Sequence, residues 1–258
     1  MRKLLTSSTY AIAGALDSLC RKLMRKLKES ESAEGQLLED EGLEEDFEGL
    51  EDILDEWGED EDSAILTADD KDAITTEIEE LEKFSRLAVS ITNNAKGEKL
   101  STALKKGFEM AKSLGAAEKA IIFTESRRTQ DYLLDVLSKT DLKDSIVLFN
   151  GSNTDPKSRE IYANWIERHK DSDKVTGSRT ADMRSALVDF FREEGKVMIA
   201  TEAGSEGINL QFCSIIVNYD LPWNPQRIEQ RIGRCHRFGQ KYDVVVVNFL
   251  NKNNAAGV

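Results

Sequence analysis

The sequence predicts a three-layer α/β domain, a parallel sheet with helices on both faces, preceded by a helical region. Three observations predict it. From residue 100 onward, short apolar runs alternate with stretches of helical period. Those runs, AIIFT (120–124), SIVLFN (145–150), VMIA (197–200), IIVNY (215–219) and VVVVNFL (244–250), are mostly continuous, as expected of strands covered on both faces. Before residue 100 only helical periodicity occurs. A chain of 258 residues has room for one sizeable domain and an attachment, divided here as a helical part over 1–99 and an α/β domain over 100–258.

The elements follow in order. Ile12, Leu16, Leu19, Leu23 and Leu27 recur at spacings of three and four, which puts them on one face of a helix. Leu43, Phe47, Leu50, Leu54 and Trp57 draw a second stripe. Ile74, Ile78, Leu81, Phe84, Ala88 and Ile91 draw a third, ending near Asn93 to Gly97. These helices either pack on each other or on the main domain, or offer a docking surface to another protein. Leu104, Phe108, Ala111 and Leu114 line a helix stopped by Gly115. The helix from about Arg127 to Lys139 turns Tyr132, Leu133, Val136 and Leu137 inward. Another forms around Ile161, Tyr162, Trp165 and Ile166, and after a polar stretch to Gly177 a further one presents Met183, Leu187 and Phe190. The last begins near Pro225. In such a sheet the loops at the strand ends are the default place for chemistry.

Charge is unevenly spread. The net charge of −13 divides into +5 over residues 1–30, −23 over the acidic block 31–82, and +5 over residues 83–258. Phosphate binding is therefore allowed for the large C-terminal part and opposed by the block. No span of apolar residues is long enough to cross a membrane, and the basic start is interrupted by Asp17 and by the basic run from Arg21, which argues for a folded helix over a leader. Three widely spaced cysteines make no disulfide framework and favour a reducing cytoplasm.

One motif is missing. A nucleotide-gripping loop of the form GxxxxGK[ST] does not occur: the chain's one Gly-Lys pair, Gly195-Lys196, precedes Val197 and leads a strand. Asp55-Glu56-Trp57-Gly58 is a poor magnesium site, because no apolar strand delivers it. Two regions are rich instead. Arg227, Arg231 and Arg234 lie at helical spacing, with Arg237 just beyond, and suggest either a polyanion site or a solvated basic face. Thr201 to Leu210 follows the strand VMIA directly, and its two glycines let backbone amides approach a phosphate.

The pair TEAGSEGINLQ (201–211) and PWNPQRIEQRIGRCHRFGQ (222–240) resembles the fifth and sixth motifs of superfamily-two helicases, in the form used by Swi/Snf-type DNA translocases and bacterial relatives such as the RNA-polymerase-recycling ATPase. KAIIFTESRRTQDYLLDVL (119–137) resembles the fourth motif, and VTGSRTADMRSALVDFF (175–191) the segment between. The resemblance covers roughly residues 100–258 and implies the second RecA-like lobe of a two-lobed motor. The first lobe of such a motor carries the nucleotide loop and the magnesium motif, so the chain reads as beginning after them.

The resemblance also implies roles. Arg237 matches the arginine finger, Arg234 the partner of the terminal phosphate, and Gln230 a residue coupling nucleotide state to lobe closure. Gly204, Glu206, Gly207 and Asn209 match the turn that links nucleotide to nucleic acid. Thr124, Ser126, Arg127, Thr201, Gly177 and Arg184 fall where the family contacts the tracked strand, although Thr124 is equally read as a strand-end residue satisfied by backbone. Trp223 is a stacking or a packing residue, and Cys235 and Cys213 lack the ligand spacing with His236 that zinc requires. A second Gly-Ser, at 151–152, makes residues 150–176 an insertion. ATP and magnesium are implied for the whole protein, with neither held tightly by this lobe alone. Double-stranded DNA and the first lobe are the implied partners, and the acidic helices could hold a protein partner. The rival readings are an interaction module on the same scaffold and an RNA helicase lobe.

Overall fold

The computed structural model describes residues 16–17, 19–27, 68–90, 95–170, 172–205, 207–222 and 224–249. The acidic stripe from Leu43 to Trp57, along with Glu206 and Trp223, lies outside them. The chain divides into two compact units, Met1–Asn94 and Ala95–Val258. No helix among the described residues is long and apolar enough to cross a membrane.

In the first unit residues 19–27 are helical and α1 spans Ala68–Ser90. Leu19, Cys20 and Leu81 are buried together, with Leu16 and Leu23 against them. The Ser85 hydroxyl donates to Asp17 Oδ1 at 2.6 Å. These two helical stretches thus use their apolar stripes on each other. α1 nevertheless leaves Phe84 and Leu87 exposed.

The second unit runs α2 (Ala95–Ser113), β1 (Ala120–Thr124), α3 (Arg127–Ser138), β2 (Ile146–Phe149), α4 (Pro156–His169), α5 (Arg179–Glu193), β3 (Val197–Thr201), the single turn α6 (Glu202–Ser205), β4 (Ile215–Asn218), α7 (Pro225–Cys235) and β5 (Val245–Asn248). Every strand pair is parallel, in the order β2-β3-β1-β4-β5. The pleat sorts side chains to two cores. Ile121, Phe123, Met198, Ala200 and Ile216 face α4, α5 and α7 through Trp165, Leu187, Phe191 and Cys235. Ala120, Ile122, Val197, Ile199 and Val217 face α2 and α3 through Leu100, Leu104, Leu133 and Leu137. Burial on both sides is why these strands read as unbroken apolar runs, and the three-layer α/β fold is as the sequence predicts.

Three details differ from the sequence reading. The helix expected to end near Asn93 to Gly97 is described as far as Ser90, residues 91–94 lie outside the described residues, and Gly97 lies within α2. There a Cβ would run into Tyr132 Oη, so the glycine admits the tyrosine and does not end a helix. Phe191, not Phe190, is the fully buried phenylalanine of α5. The VVVVNFL run yields only a four-residue β5 with alternating burial, because it is an edge strand covered on one side.

Candidate nucleotide and nucleic-acid interface

The register sets Thr124 beside Thr201, and Phe123 beside both Ala200 and Asn218. Phe149 pairs with Ala200 on the far side. The turns after β1, β2, β3 and β4 therefore leave the sheet at one edge, where ligands of open parallel sheets bind. Two buried polar clusters fix those turns.

The first centres on Gln130, buried on α3. Its amide nitrogen donates to Ile199 O at 2.7 Å and Phe149 O at 3.3 Å, and its oxygen accepts from Asn150 Nδ2 at 2.8 Å. The ends of β2 and β3 are thereby tied to α3. Close by, Gly204 is buried against the β2 turn, and a Cβ on it would lie 2.6 Å from Asn150 Cα. Gly204, expected in the turn that links nucleotide to nucleic acid, is closely packed against the backbone of the β2 turn.

The second cluster centres on Arg231, only 1% exposed. Its Nε donates to Glu202 Oε2 at 2.8 Å, with Nη2 on the same oxygen, while Nη1 donates to Asn218 Oδ1 at 3.0 Å and Asp220 O at 2.8 Å. The guanidinium carbon sits 4.9 Å from the centroid of the Phe123 ring. Four donor contacts, an ion pair and a flat aromatic face together meet the requirements of a buried guanidinium. Arg231 is neither a polyanion contact nor part of a solvated face. It anchors α7 to the ends of β3 and β4.

Anchoring α7 positions what lies at its end. Asn224 caps the helix through Gln226 N at 3.0 Å. The Leu210 amide donates to Arg234 O at 2.9 Å, and Gln240 Nε2 donates to Cys213 O and Cys235 O at 3.3 and 3.2 Å. Gln211 Nε2 reaches Phe238 O at 2.7 Å. Within this frame Gln230 and Arg237 are exposed and Arg234 is half-buried. Among the described residues neither Arg234 nor Arg237 has an ion-pair partner. Beneath them the thiols of Cys213 and Cys235 are buried, and hydrogen bonding with Cys213 followed by burial pushes the Cys235 thiol far up, which keeps it protonated.

A cleft of about 760 Å³ opens beside the turn after β3, with Ser178, Thr180, Arg184, Arg192, Gly207 and Asn209 among its walls. Arg184 lies over the Phe149 ring at 5.3 Å. The turn entering α5 is held by Asp182, which accepts from Thr176 N at 2.9 Å, Thr176 Oγ1 at 2.7 Å and Gly177 N at 3.2 Å. The Thr176 amide and hydroxyl, then the Gly177 amide, hold the Asp182 carboxyl below its ordinary value of 3.8 against the opposing effect of burial. Gly177 takes φ +83°, a left-handed conformation that suits glycine.

The structure thus brings Arg184, Gly207 and Asn209 onto one cleft, with Ser178, the residue after Gly177, in its wall, and sets Gln230, Arg234 and Arg237 on and after α7. It does not present Thr124, Ser126 or Thr201 as side-chain contacts, since all three are buried. Thr124 Oγ1 donates to Ser126 O at 3.3 Å, the backbone-satisfied alternative, and Ser126 caps α3 by accepting from Thr129 N at 3.2 Å. Arg127 beside them is half-buried. Sequence reasoning missed Gln130, Glu202 and Asp182, and misread Arg231. The spacing of four between Arg231 and the buried Cys235 was the available signal, because it puts both on one helix face. It also missed Lys96, whose Nζ donates to Tyr219 O at 3.2 Å and whose pKa burial lowers against the pull of Asp220 and Glu125.

Residues 130–239 match the family described as the helicase conserved C-terminal domain. The chain is 42% identical over 123 residues to an uncharacterized ATP-dependent helicase, YqhH, of Bacillus subtilis, a match covering 47% of this chain and 21% of that protein. It is 45% identical over 83 residues to the RNA polymerase-associated protein RapA of Vibrio cholerae, covering 31% of this chain and 9% of RapA. It is 32% identical over 151 residues to the human transcriptional regulator ATRX, covering 55% of this chain and 6% of ATRX. The chain therefore spans about a fifth or less of the length of these relatives. Residues 130–239 of its parallel sheet domain are thus similar to the helicase conserved C-terminal domain, and parts of the chain are similar to RapA and to ATRX.

Proposed function

We propose that the chain is the second motor lobe of an ATP-driven double-stranded DNA translocase, supplying arginines and DNA-backbone contacts to a nucleotide gripped by a first lobe. The observation that carries this reading is the contrast along α7. Arg231 is used up inside the domain, while Arg234 and Arg237 carry no ion pair among the described residues and stay available to a phosphate presented from outside. Arg237 is the finger that neutralises charge on the phosphoryl group in transfer, Arg234 holds the terminal phosphate, and Gln230 senses closure. ATP with its magnesium is held by the first lobe, since this sequence has no glycine-lysine phosphate loop. The cleft bearing Arg184, Gly207 and Asn209 supports backbone contact with the tracked strand. The names of two relatives tie them to transcription, which favours duplex DNA over structured RNA as the track.

The test compares the chain alone with the chain joined to a first lobe that bears the nucleotide loop. Alone, it should hydrolyse no ATP above a mock preparation; joined, it should be stimulated more by duplex DNA than by structured RNA. Hydrolysis by the lone chain, or equal stimulation by RNA, overturns the proposal.

A further inference from the structure

We propose that Lys96 is a positioning residue for the outward arginines of α7, its ammonium holding the turn that carries the chain from β4 into that helix; the inference rests on the motor-lobe reading above and adds to it a residue that acts through backbone. Lys96 stands on the first turn of α2 and is half-buried. Its Nζ donates to Tyr219 O at 3.2 Å and lies 5.2 Å from the centroid of the Tyr219 ring. The tyrosine is fully buried and its ring packs on Phe249. Gly97, the next residue, lets Tyr132 of α3 press against this first turn, so the backbone that carries the lysine is fixed as well.

The bond completes a set. Tyr219 N and Asp220 N both donate to Phe123 O, at 3.1 and 3.3 Å, and Asp220 O accepts from Arg231 Nη1 at 2.8 Å. Asp220 Oδ2 accepts from Glu125 N at 3.3 Å. With Lys96 on Tyr219 O, both amides and both carbonyls of the pair are bonded, which pins the backbone where it leaves the sheet. Shortly after, Asn224 caps α7 through Gln226 N. Arg231 thus holds α7 from within the helix and Lys96 holds its approach, on adjacent carbonyls of one turn. The two together set where Arg234 and Arg237 stand.

The site does not favour the charge it holds. Burial lowers the Lys96 pKa, against the pull of Asp220 on the turn after β4 and of Glu125 on the turn after β1. The folded state therefore gives up this proton more readily than the unfolded chain does, and the charge itself does not stabilise the fold. An apolar side chain commonly replaces such a group at little loss of stability. What the ammonium supplies is the place of one carbonyl.

The test uses Lys96→Met and Lys96→Arg. In the chain alone, hydrogen exchange of the Tyr219, Asp220 and Gln226 amides should speed up about tenfold in the methionine variant while the amides of β1 keep their rate. Arginine, which keeps the charge and the donors, should restore slow exchange. In the chain joined to a first lobe, the methionine variant should lose roughly tenfold to a hundredfold in kcat with KM for ATP unchanged, and arginine should recover most of it. Wild-type exchange and turnover in the methionine variant overturn the proposal, as does a loss of turnover matched by a loss of folded protein in circular dichroism. Lys96→Ala, which demands no repacking, repeats the measurement should methionine not fold, and failure of both to fold overturns the proposal in favour of a stabilising role. Unchanged turnover in Arg237→Ala overturns the lobe reading and this inference with it. A dead Arg237→Ala beside an active Lys96→Met overturns this inference alone.

Discussion

Helix α7 turns one arginine into the domain and leaves two at its end facing outward. Arg231 lies among Glu202, Asn218, Asp220 and the Phe123 ring, with its charge neutralised and its nitrogens bonded. Arg234 and Arg237 share its chemistry and its neighbourhood in sequence, yet neither finds an ion pair among the described residues. The difference teaches that a run of arginines is not one site. The buried member gives the helix a single seat on the sheet, and that seat aims the outer members.

The contrast breaks most visibly in catalysis. In a two-lobed protein, Arg237→Ala should cut turnover by roughly 10³ to 10⁵, about 4–7 kcal/mol of barrier, while thermal stability moves by less than about 0.5 kcal/mol because the side chain is exposed. Unchanged turnover rejects the finger. Arg231→Ala should do the reverse, lowering the unfolding free energy by about 3–5 kcal/mol because Glu202 and Asn218 lose their partner in a desolvated site. Pairing Arg231→Met with Glu202→Leu should recover part of that loss, and a double variant worse than the sum of its singles would deny the ion pair its role.

A smaller effect sharpens the same distinction at the glycine turn. Gly204→Ala should cost about 1–3 kcal/mol, since the new methyl group meets the Asn150 backbone and no flexible side chain can yield; a neutral result would return Gly204 to ligand contact. The smallest effect depends on pH. The folded state lowers the Asp182 pKa, so its contribution to stability is complete above the ordinary 3.8 and fades as pH falls through the lowered value. In urea titrations the gap between wild type and Asp182→Asn should therefore close on acidification below that ordinary value, and a gap that is constant with pH would remove the carboxylate from the argument.

Much of the sheet was legible in the sequence because AIIFT, VMIA and IIVN carry their fate in composition: strands buried on both faces cannot alternate. β5 was less so, since its length is set by the edge and not by its own valines. In the candidate site, motif order singles out Arg184, Gly207 and Asn209, and all three line one cleft. Thr124, Ser126 and Thr201 lie at that same edge with buried side chains, because a motif records position along the chain and not which way a hydroxyl turns. Arg231 was hidden for a different reason. Three guanidiniums at helical spacing and a fourth just beyond look alike until Glu202, far away in sequence, selects one of them.

The hydrogen bond from the Leu210 amide to the Arg234 carbonyl joins the stretch after the Gly207 turn to the last turn of α7. In the proposed motor that would place track and fuel a single backbone hydrogen bond apart. A tug on the strand would arrive at the arginine's own backbone without crossing the sheet, and a phosphate leaving the arginine would be felt at the strand by the same short route, as a latch is felt at both ends of one rod.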